Sequence, residues 1–315
     1  MAALPKHFSA EQRRALFGGR DVSPILPYPH APQPQNAGEG VQRFSISGTQ
    51  LKSSLVEDNG VLRYAEDGEQ GQFILKPRPH GLQRCADAPA NEWVSMMLAQ
   101  RCFQVETAAC GLCYFGDGRA AYLTRRFDIA PNGTKRHKED LMTLSARRNT
   151  YSGDKYESSY EEAARLIRTF SSTANVDLLL FFKLIVASYL LCNGDAHLKN
   201  IALLEDSLGQ MRLAPAYDIM NTRLHVTDSV FALKKGLFES GAAPIGNDMG
   251  SFFLRWAGQI GIQPSIALHV LRLFANREKD VTAGIAASPL SEQGKRTYLY
   301  HTRPRFAALR RGLPS

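Results

Sequence analysis

The sequence predicts an α+β chain of two lobes, a small antiparallel β lobe followed by a mainly helical lobe. Between residues 41 and 130, short alternating apolar runs are separated by tight turns, with one helical pattern among them. From residue 131 onward, apolar residues recur mainly at helical spacing. The most apolar segment, residues 176–192, ends directly before the polar run Asn193-Gly194-Asp195-Ala196-His197-Leu198-Lys199-Asn200. This run is the segment around which the chain is organised.

Composition limits the class of protein. The chain has 315 residues, of which 44% are hydrophobic and 22% are charged, as in globular proteins with a substantial core. A formal net charge of +8 favours an anionic partner, such as a nucleotide, a nucleic acid or an acidic protein surface. Residues 176–192 contain Asp177 and Lys183 and are short for a membrane span, so a buried helix is expected. Five cysteines without a disulfide framework, together with no apolar leader, indicate a reducing, cytoplasmic location.

Residues 1–40 are predicted to form an extension of the first lobe. A short helix is expected at Ala10–Phe17, and five prolines follow between residues 24 and 34. Because proline fixes φ and lacks a backbone donor, this stretch is predicted to be extended along the β lobe or partly disordered.

The first lobe, residues 41–130, contains candidate nucleotide-binding residues. Residues 44–55 alternate on either side of a small polar loop, which fits either a plain hairpin or a cover over phosphates. A strand at residues 71–77 carries Lys76 near its end, and a helix at residues 87–101 carries Glu92 in its first turns. Lys76 and Glu92 could therefore pair, although a solvated lysine and a glutamate stabilised by the helix dipole are equally compatible with this spacing.

Two further strands, residues 111–115 and 120–127, complete the predicted lobe. The second would run into the connection between the lobes, where an adenine ring would lie in a kinase. Arg125, Phe127 and Asp128 are the candidates for adenine contacts.

The second lobe, residues 131–315, is predicted to be helical around residues 176–192. A small hairpin is expected between Asn200 and Asp218, with strands at residues 202–204 and 211–213. The other predicted helices cover residues 137–147, 160–170, 252–260, 264–277 and 291–310.

Three residues around this hairpin predict phosphoryl-transfer chemistry. Asp195 with Asn200 five positions later has the spacing of a kinase catalytic loop, in which the Asp orients a hydroxyl and the Asn holds Mg²⁺. Asp218, eighteen residues after Asn200, would be the second magnesium ligand. Asn/Asp-rich turns are a simpler reading of each residue alone. His197 could brace the loop or contact phosphate.

With these residues in place, the chain resembles the HipA family of serine/threonine kinases, toxins of bacterial toxin-antitoxin modules. The resemblance covers roughly residues 40–310. It rests on the order and intervals of several motifs: Ser45-Ile46-Ser47-Gly48-Thr49-Gln50 with Lys52, Ile74-Leu75-Lys76-Pro77, Asn91-Glu92-Trp93, Arg126-Phe127-Asp128, His137-Lys138-Glu139-Asp140, Lys155-Tyr156-Glu157-Ser158, Asn193 to Asn200, and Ala216-Tyr217-Asp218.

The resemblance implies a two-lobed kinase-like fold, ATP and Mg²⁺ as cofactors, and Lys76 on the α/β phosphates. It also implies autophosphorylation at Ser45 or Ser47. About forty residues precede the serine loop, as in the short HipT type, whose N-terminal subdomain is a separate small protein. Nucleotide contacts are implied for the loop that carries Ser47, Gly48, Thr49, Gln50 and Lys52.

The resemblance also implies that the protein substrate is an aminoacyl-tRNA synthetase. It further implies that a DNA-binding antitoxin is a partner, through which the chain would contact DNA only indirectly. No membrane partner is expected. Arg125 stands where many relatives carry a hinge glutamate, so the resemblance leaves the side-chain contact to adenine open, whereas backbone contacts of this segment could be kept.

Two other functions fit the sequence. Aminoglycoside and choline kinases use a similar loop, so a small-molecule phosphotransferase is one alternative. An inactive nucleotide-binding component of an antitoxin-DNA complex is the other. The presence of Asp195, Asn200, Asp218 and Lys76 together favours an active enzyme.

Overall fold

The computed structural model describes residues 6–29, 51–130, 132–147, 154–245 and 247–314. It has the two predicted lobes. The first lobe is a five-stranded antiparallel sheet with strand order β2-β1-β3-β5-β4. Its strands are β1 (Ser53–Asp58), β2 (Val61–Tyr64), β3 (Phe73–Pro77), β4 (Cys110–Tyr114) and β5 (Ala120–Arg125).

Helices cover both faces of this sheet. Helix α1 (Ala10–Phe17) places Leu16 and Phe17 in an apolar cluster with Phe73 and Leu123 from the strands. Helix α2 (Ala88–Phe103) packs on the other face, where Tyr122 of β5 joins the large core that continues into the second lobe. The sheet is therefore buried on both sides, which fixes the strand register and the direction of each side chain.

The N-terminal extension lies along the first lobe, as predicted for its described part. The backbone N–H of Leu26 donates to the Tyr114 carbonyl at 2.8 Å, and the Tyr114 N–H donates to the Pro24 carbonyl at the same distance. These bonds cover the outer edge of β4, which would otherwise expose unpaired backbone groups.

The second lobe is built around helix α5 (Ala174–Leu190). Ten or more of its side chains are buried, including Phe181, Phe182 and Ile185. The Asp177 carboxylate, near its start, accepts a hydrogen bond from the Leu213 N–H at 2.9 Å and so ties the hairpin to the helix. The remaining helices around α5 are α3 (Leu141–Arg147), α4 (Tyr160–Phe170), α6 (Met249–Gln259), α7 (Pro264–Ala275), α8 (Glu278–Ala287) and α9 (Glu292–Arg310).

A three-stranded sheet lies beside these helices, with order β6-β7-β8. Strands β7 (Ala202–Glu205) and β8 (Met211–Leu213) form the predicted hairpin. Strand β6 (Lys138–Asp140) corrects the prediction of one helix over residues 137–147. These residues pair with β7, and the helix begins only at Leu141, because Asp140 caps it by accepting from the Thr143 N–H at 2.8 Å.

Two further elements are not predicted above. Strand β2 follows β1 across Asn59-Gly60, and both turn residues have positive φ, 51° and 82°. This is the geometry of a two-residue hairpin, for which Asn-Gly is a strong local signal. Helix α8 is the second omission. In the part of the chain that the structure describes, no helix combines the length and apolarity needed to cross a bilayer.

Candidate active site

A cleft of about 470 Å³ lies between the lobes. Its upper wall comes from β3, β5, α2 and Lys52 before β1, and its lower wall comes from β6, the loop after α5 and the segment after β8. The lining residues include Lys52, Lys76, Glu92, Tyr122, Arg125, Arg126, Phe127, Asp128, Lys138, Lys155, His197, Lys199, Asn200, Tyr217 and Asp218. Residues far apart in the sequence thus converge on one concave surface, which is the usual form of a small-molecule site.

Lys76 binds two carboxylates in this cleft. Its Nζ donates to Glu92 Oε1 at 2.5 Å and to Asp218 Oδ1 at 2.6 Å. The sheet register directs Lys76 into the cleft beside Tyr122, and Glu92 lies in the first turns of α2 with only 1% of its surface exposed. The Lys76–Glu92 pair, which the sequence left open, is therefore formed. Asp218 joins it from the other lobe, with a left-handed φ of 62° that aspartate tolerates better than most residues.

One cation shared by two carboxylates sets the ionisation of this cluster. Burial alone would lower the pKa of Lys76, but the charges of Asp218 and Glu92 hold it above its usual value. Burial would raise the pKa of Asp218, but the charges of Lys76 and then Lys52 outweigh it and lower the pKa to about 2. Burial dominates at Glu92 and raises its pKa to about 7, because Lys76 offsets only part of that cost. Asp218 is therefore the carboxylate that stays ionised.

A second contact ties Asp218 to helix α2. The Asn91 amide donates to the Asn221 carbonyl at 2.8 Å, and the Asn221 N–H donates back to Asn91 Oδ1 at 3.0 Å. Both asparagines are fully buried. This two-point bond fixes the segment after Asp218 against the helix that carries Glu92, so it holds the two carboxylates in register across the lobes.

The predicted catalytic loop leaves α5 in a tight turn. Cys192 has a left-handed φ of 59°, and the Asp195 N–H donates to the Asn193 side chain at 3.3 Å. The Asn200 amide N–H donates to the Asp195 carbonyl at 3.0 Å and closes the loop. At Gly194 a β-carbon would lie 2.2 Å from the Asp228 carboxylate, so a larger residue there would have to displace the Asp228 side chain.

Asp195 is a buried carboxyl at the centre of this loop, 8% exposed. The Tyr156 hydroxyl donates to its Oδ1 at 2.9 Å. Burial raises the pKa of Asp195 to about 6, with the Asp218 charge adding to the rise and the Tyr156 hydrogen bond opposing it. A carboxylate with this pKa is a stronger proton acceptor than an exposed aspartate, yet is mostly ionised at neutral pH.

His197 lies two residues further on, 1% exposed, and its Nε2 is 2.7 Å from the Lys155 Nζ. Burial, together with the Lys155 charge, lowers the pKa of His197 to about 4. The ring is therefore neutral at physiological pH, and Nε2 accepts a hydrogen bond from the Lys155 ammonium.

Asn200 and Asp218 line the cleft together and fit a hard divalent cation. The Asn200 amide nitrogen is directed to the loop backbone, which leaves its oxygen for a ligand. Within the described ranges, no donor is directed to that oxygen or to Asp218 Oδ2. Amide and ionised carboxylate oxygens are the ligands that Mg²⁺ prefers. The same ranges contain no cluster of three or more His, Cys, Asp or Glu residues arranged for a metal.

The residues predicted to contact adenine lie at the end of β5. Arg125, Phe127 and Asp128 all line the cleft. The Arg125 guanidinium, however, donates to the Leu16 carbonyl at 2.9 Å, so its side chain braces α1. Asp128 forms an ion pair with Arg126 at 2.7 Å.

The Phe127 ring belongs to an aromatic surface in the cleft. It lies 5.5 Å from the Tyr217 ring, and the Lys138 ammonium lies over both rings. An aromatic surface of this kind suits a purine ring.

The phosphate side of the cleft is described only in part. Lys52 lines the cleft, and its charge contributes to the low pKa of Asp218. Ser45, Ser47, Gly48, Thr49 and Gln50 lie outside the described residues, so their predicted roles stay predictions.

Lys155 and Tyr156 are the site residues to which the sequence assigns no role. They appear above only within a motif that supports the family resemblance. Tyr156 bonds a residue 39 positions away, and Lys155 bonds one 42 positions away. Contacts over such separations leave no periodic pattern in the sequence, so only the tertiary fold shows them.

The fold and the cleft define the class of protein as one with a two-lobed kinase-like fold. A solved Shewanella oneidensis structure of a toxin-antitoxin system, HipA with HipB and operator DNA, has a TM-score of 0.66 and 19% identity. That similarity covers 88% of this chain and 67% of the HipA chain. The Helicobacter pylori proinflammatory kinase CtkA has a TM-score of 0.55 and 15% identity, over 81% of this chain and 90% of its own. At these identities the similarity concerns the fold.

The family follows from the sequence match. The family described as HipA-like C-terminal domain matches residues 44–279, and the chain belongs to it. A Haemophilus influenzae relative named "Putative kinase" is 24% identical over 283 residues, which is 84% of this chain and 81% of the relative. A Sinorhizobium fredii relative named "Putative kinase Y4dM" is 30% identical over 57% of this chain, and the match spans 45% of that relative's length.

Proposed function

We propose that this protein is an ATP- and Mg²⁺-dependent kinase that phosphorylates a serine or threonine of another protein. The observation that carries the proposal is the convergence of Lys76, Asn200 and Asp218 on one cleft, with Asp195 on the loop that the Asn200 amide closes beside them. Their spacing in the sequence predicts a phosphoryl-transfer site, and their contacts are those that such a site requires. The names of the relatives support the same reaction class.

The residues divide the work as follows. The acceptor hydroxyl donates a hydrogen bond to the Asp195 carboxylate, and this bond directs the hydroxyl oxygen at the γ-phosphorus of ATP. The new oxygen–phosphorus bond forms as the bond from the γ-phosphorus to the bridging oxygen of ADP breaks, and the hydroxyl proton passes to Asp195. Lys76, held between Glu92 and Asp218, pairs with the α and β phosphates. Asn200 and Asp218 would hold Mg²⁺, which neutralises phosphate charge when bound.

The biological setting extends the proposal. The HipA neighbour is solved with HipB and operator DNA, and this chain is proposed to be a toxin that binds an antitoxin in the same manner, contacting DNA only through it. From the family resemblance, the substrate is proposed to be an aminoacyl-tRNA synthetase. Autophosphorylation of Ser45 or Ser47, the separate N-terminal subdomain and the short HipT subtype belong to the same proposal.

Calorimetry of Mg-ATP binding tests the nucleotide site. Asp218→Asn should weaken Mg²⁺-dependent ATP binding by about tenfold or more, because a neutral amide is a poorer ligand for a divalent cation. Asp67→Asn, which removes an exposed carboxylate in the β2–β3 connection, is the matched control and should bind as the wild type does. Equal affinity for Asp218→Asn and wild type would remove Asp218 from the metal site.

A further inference from the structure

The segment at residues 154–158 is held firmly against the catalytic loop. The Lys234 N–H donates to the Tyr156 carbonyl at 2.9 Å, and the Lys234 ammonium bonds Asp154 at 3.0 Å and also Glu157. Tyr156 then reaches Asp195, and Lys155 reaches His197. Two consecutive side chains of this segment thus contact two residues of the loop, although no role in the reaction has been assigned to either.

Lys155 is positioned as a fixed cation of the cleft. Its ammonium lies over the Tyr156 ring, with Nζ 4.9 Å from the ring centroid, and the same Nζ is 2.7 Å from Nε2 of the neutral His197 ring. Because the imidazole is neutral, it aims the ammonium through this hydrogen bond without adding an opposing charge.

Lys155 lines the same cleft as Asp218, and its contact with His197 joins it to the loop that carries Asp195. Burial lowers its pKa, whereas Asp195 and Asp218 act in the opposite direction. In the proposed reaction, Asp195 orients the acceptor hydroxyl and Asp218 lies at the metal, so the phosphoryl group must move through the space between them. Lys76 is already bound to Glu92 and Asp218 on the sheet side of that space.

We propose that Lys155 is a further catalytic residue, whose ammonium contacts the phosphoryl group as it passes from ATP to the acceptor. This inference rests on the proposed kinase function and adds a residue to it. The charge on the equatorial oxygens is spread in the transition state, and a preorganised cation beside them stabilises it without reorganisation. Lys155 forms no covalent bond and exchanges no proton in this role.

The alternative is that Lys155 only braces His197, and one substitution separates the two roles. Lys155→Gln keeps an N–H donor for Nε2 but removes the positive charge, whereas Lys155→Met removes both. If Lys155 contacts the phosphoryl group, both variants lose turnover to a similar extent. A bracing role predicts instead that Lys155→Gln retains activity and only Lys155→Met loses it.

The experiment measures the initial rate of transfer from γ-labelled Mg-ATP to protein in a whole-cell lysate, and the affinity for ADP by calorimetry. Lys155→Gln and Lys155→Met should each lower transfer by about 100-fold, while the Kd for ADP, which lacks the group that moves, changes by less than about threefold. Lys279→Met, which removes an exposed lysine on α8, is the charge-matched control and should match the wild type.

Two results would overturn the role of Lys155: transfer by Lys155→Gln within about threefold of wild type, or a loss of ADP affinity that parallels the loss of transfer. A failure of the underlying function gives a different result. In that case the wild type itself binds nucleotide but transfers no label to protein.

Discussion

Replacing Asp195 with Asn should make the protein more stable while abolishing its activity. The side chain is 8% exposed, and burial raises its pKa from an ordinary value of 3.8 to about 6. A raised carboxyl pKa means that the folded state disfavours the ionised form, so ionisation at neutral pH costs stability. Asn has nearly the same shape, keeps an oxygen to accept from Tyr156 and carries no charge.

The size of the effect follows from the pKa shift. A rise from 3.8 to about 6 is roughly two pKa units, and at about 1.4 kcal/mol per unit the cost approaches 3 kcal/mol. Because the folded pKa lies above the unfolded one, this cost is absent below pH 3.8, grows between pH 3.8 and about 6, and is complete above that. The free energy of unfolding of Asp195→Asn should therefore exceed that of wild type by about 3 kcal/mol at pH 7.5 and match it near pH 3.5.

Chemical denaturation at several pH values measures this difference. Asp206→Asn is the control, because backbone hydrogen bonds from Gln210 and Leu208 lower the pKa of Asp206, so its substitution should have the opposite sign. The reasoning is refuted if Asp195→Asn is no more stable than wild type at pH 7.5, or if its advantage persists unchanged at pH 3.5. Either result would mean that the ionised carboxylate is not destabilised by burial.

Three further predictions concern turnover and stability. Turnover should fall as pH drops through about 6, because protonated Asp195 cannot accept the hydroxyl proton. Tyr156→Phe should shift this acidic limb of the pH–rate profile to higher pH, because the Tyr156 hydroxyl stabilises the ionised form of Asp195. Lys76→Met should lower turnover about 100-fold in a phosphate-transfer assay and reduce the free energy of unfolding by about 3 kcal/mol, since two buried carboxylates lose their cation. Asn91→Ala should cost about 2 kcal/mol in chemical denaturation, because the backbone groups of Asn221 lose their partners. A pH–rate profile unchanged by Tyr156→Phe, or wild-type stability in either of the other variants, would contradict the corresponding contact.

Local sequence patterns predict the parts of the site that follow directly from one element. Residues 176–192 are apolar around the whole helix, so they predict α5 and the position of the loop that leaves it. Lys76 lies near the end of a strand and Glu92 in the first turns of a helix, so their positions follow from local patterns, whereas the sequence left their pairing open and only the structure shows it.

Contacts between distant segments cannot be predicted from these local patterns. Residues 137–140 have no strand signal of their own, and β6 exists because β7, more than sixty positions later, pairs with it. Tyr156 is likewise an ordinary aromatic in the sequence, and only the packing of its segment against the loop directs its hydroxyl to Asp195. Asn59-Gly60 is different, since this dipeptide is a sufficient local signal for the β1–β2 hairpin.

Transfer of label from γ-labelled ATP into a whole-cell lysate tests whether this protein is a protein kinase that depends on Asp195, with wild type and Asp195→Asn compared in the presence and absence of Mg²⁺. The wild type should label one or a few proteins on serine or threonine only when Mg²⁺ is present, and the variant should label none. Label that appears in small molecules instead of proteins, no label from a wild type that binds ATP, or equal labelling by Asp195→Asn would contradict the proposed function.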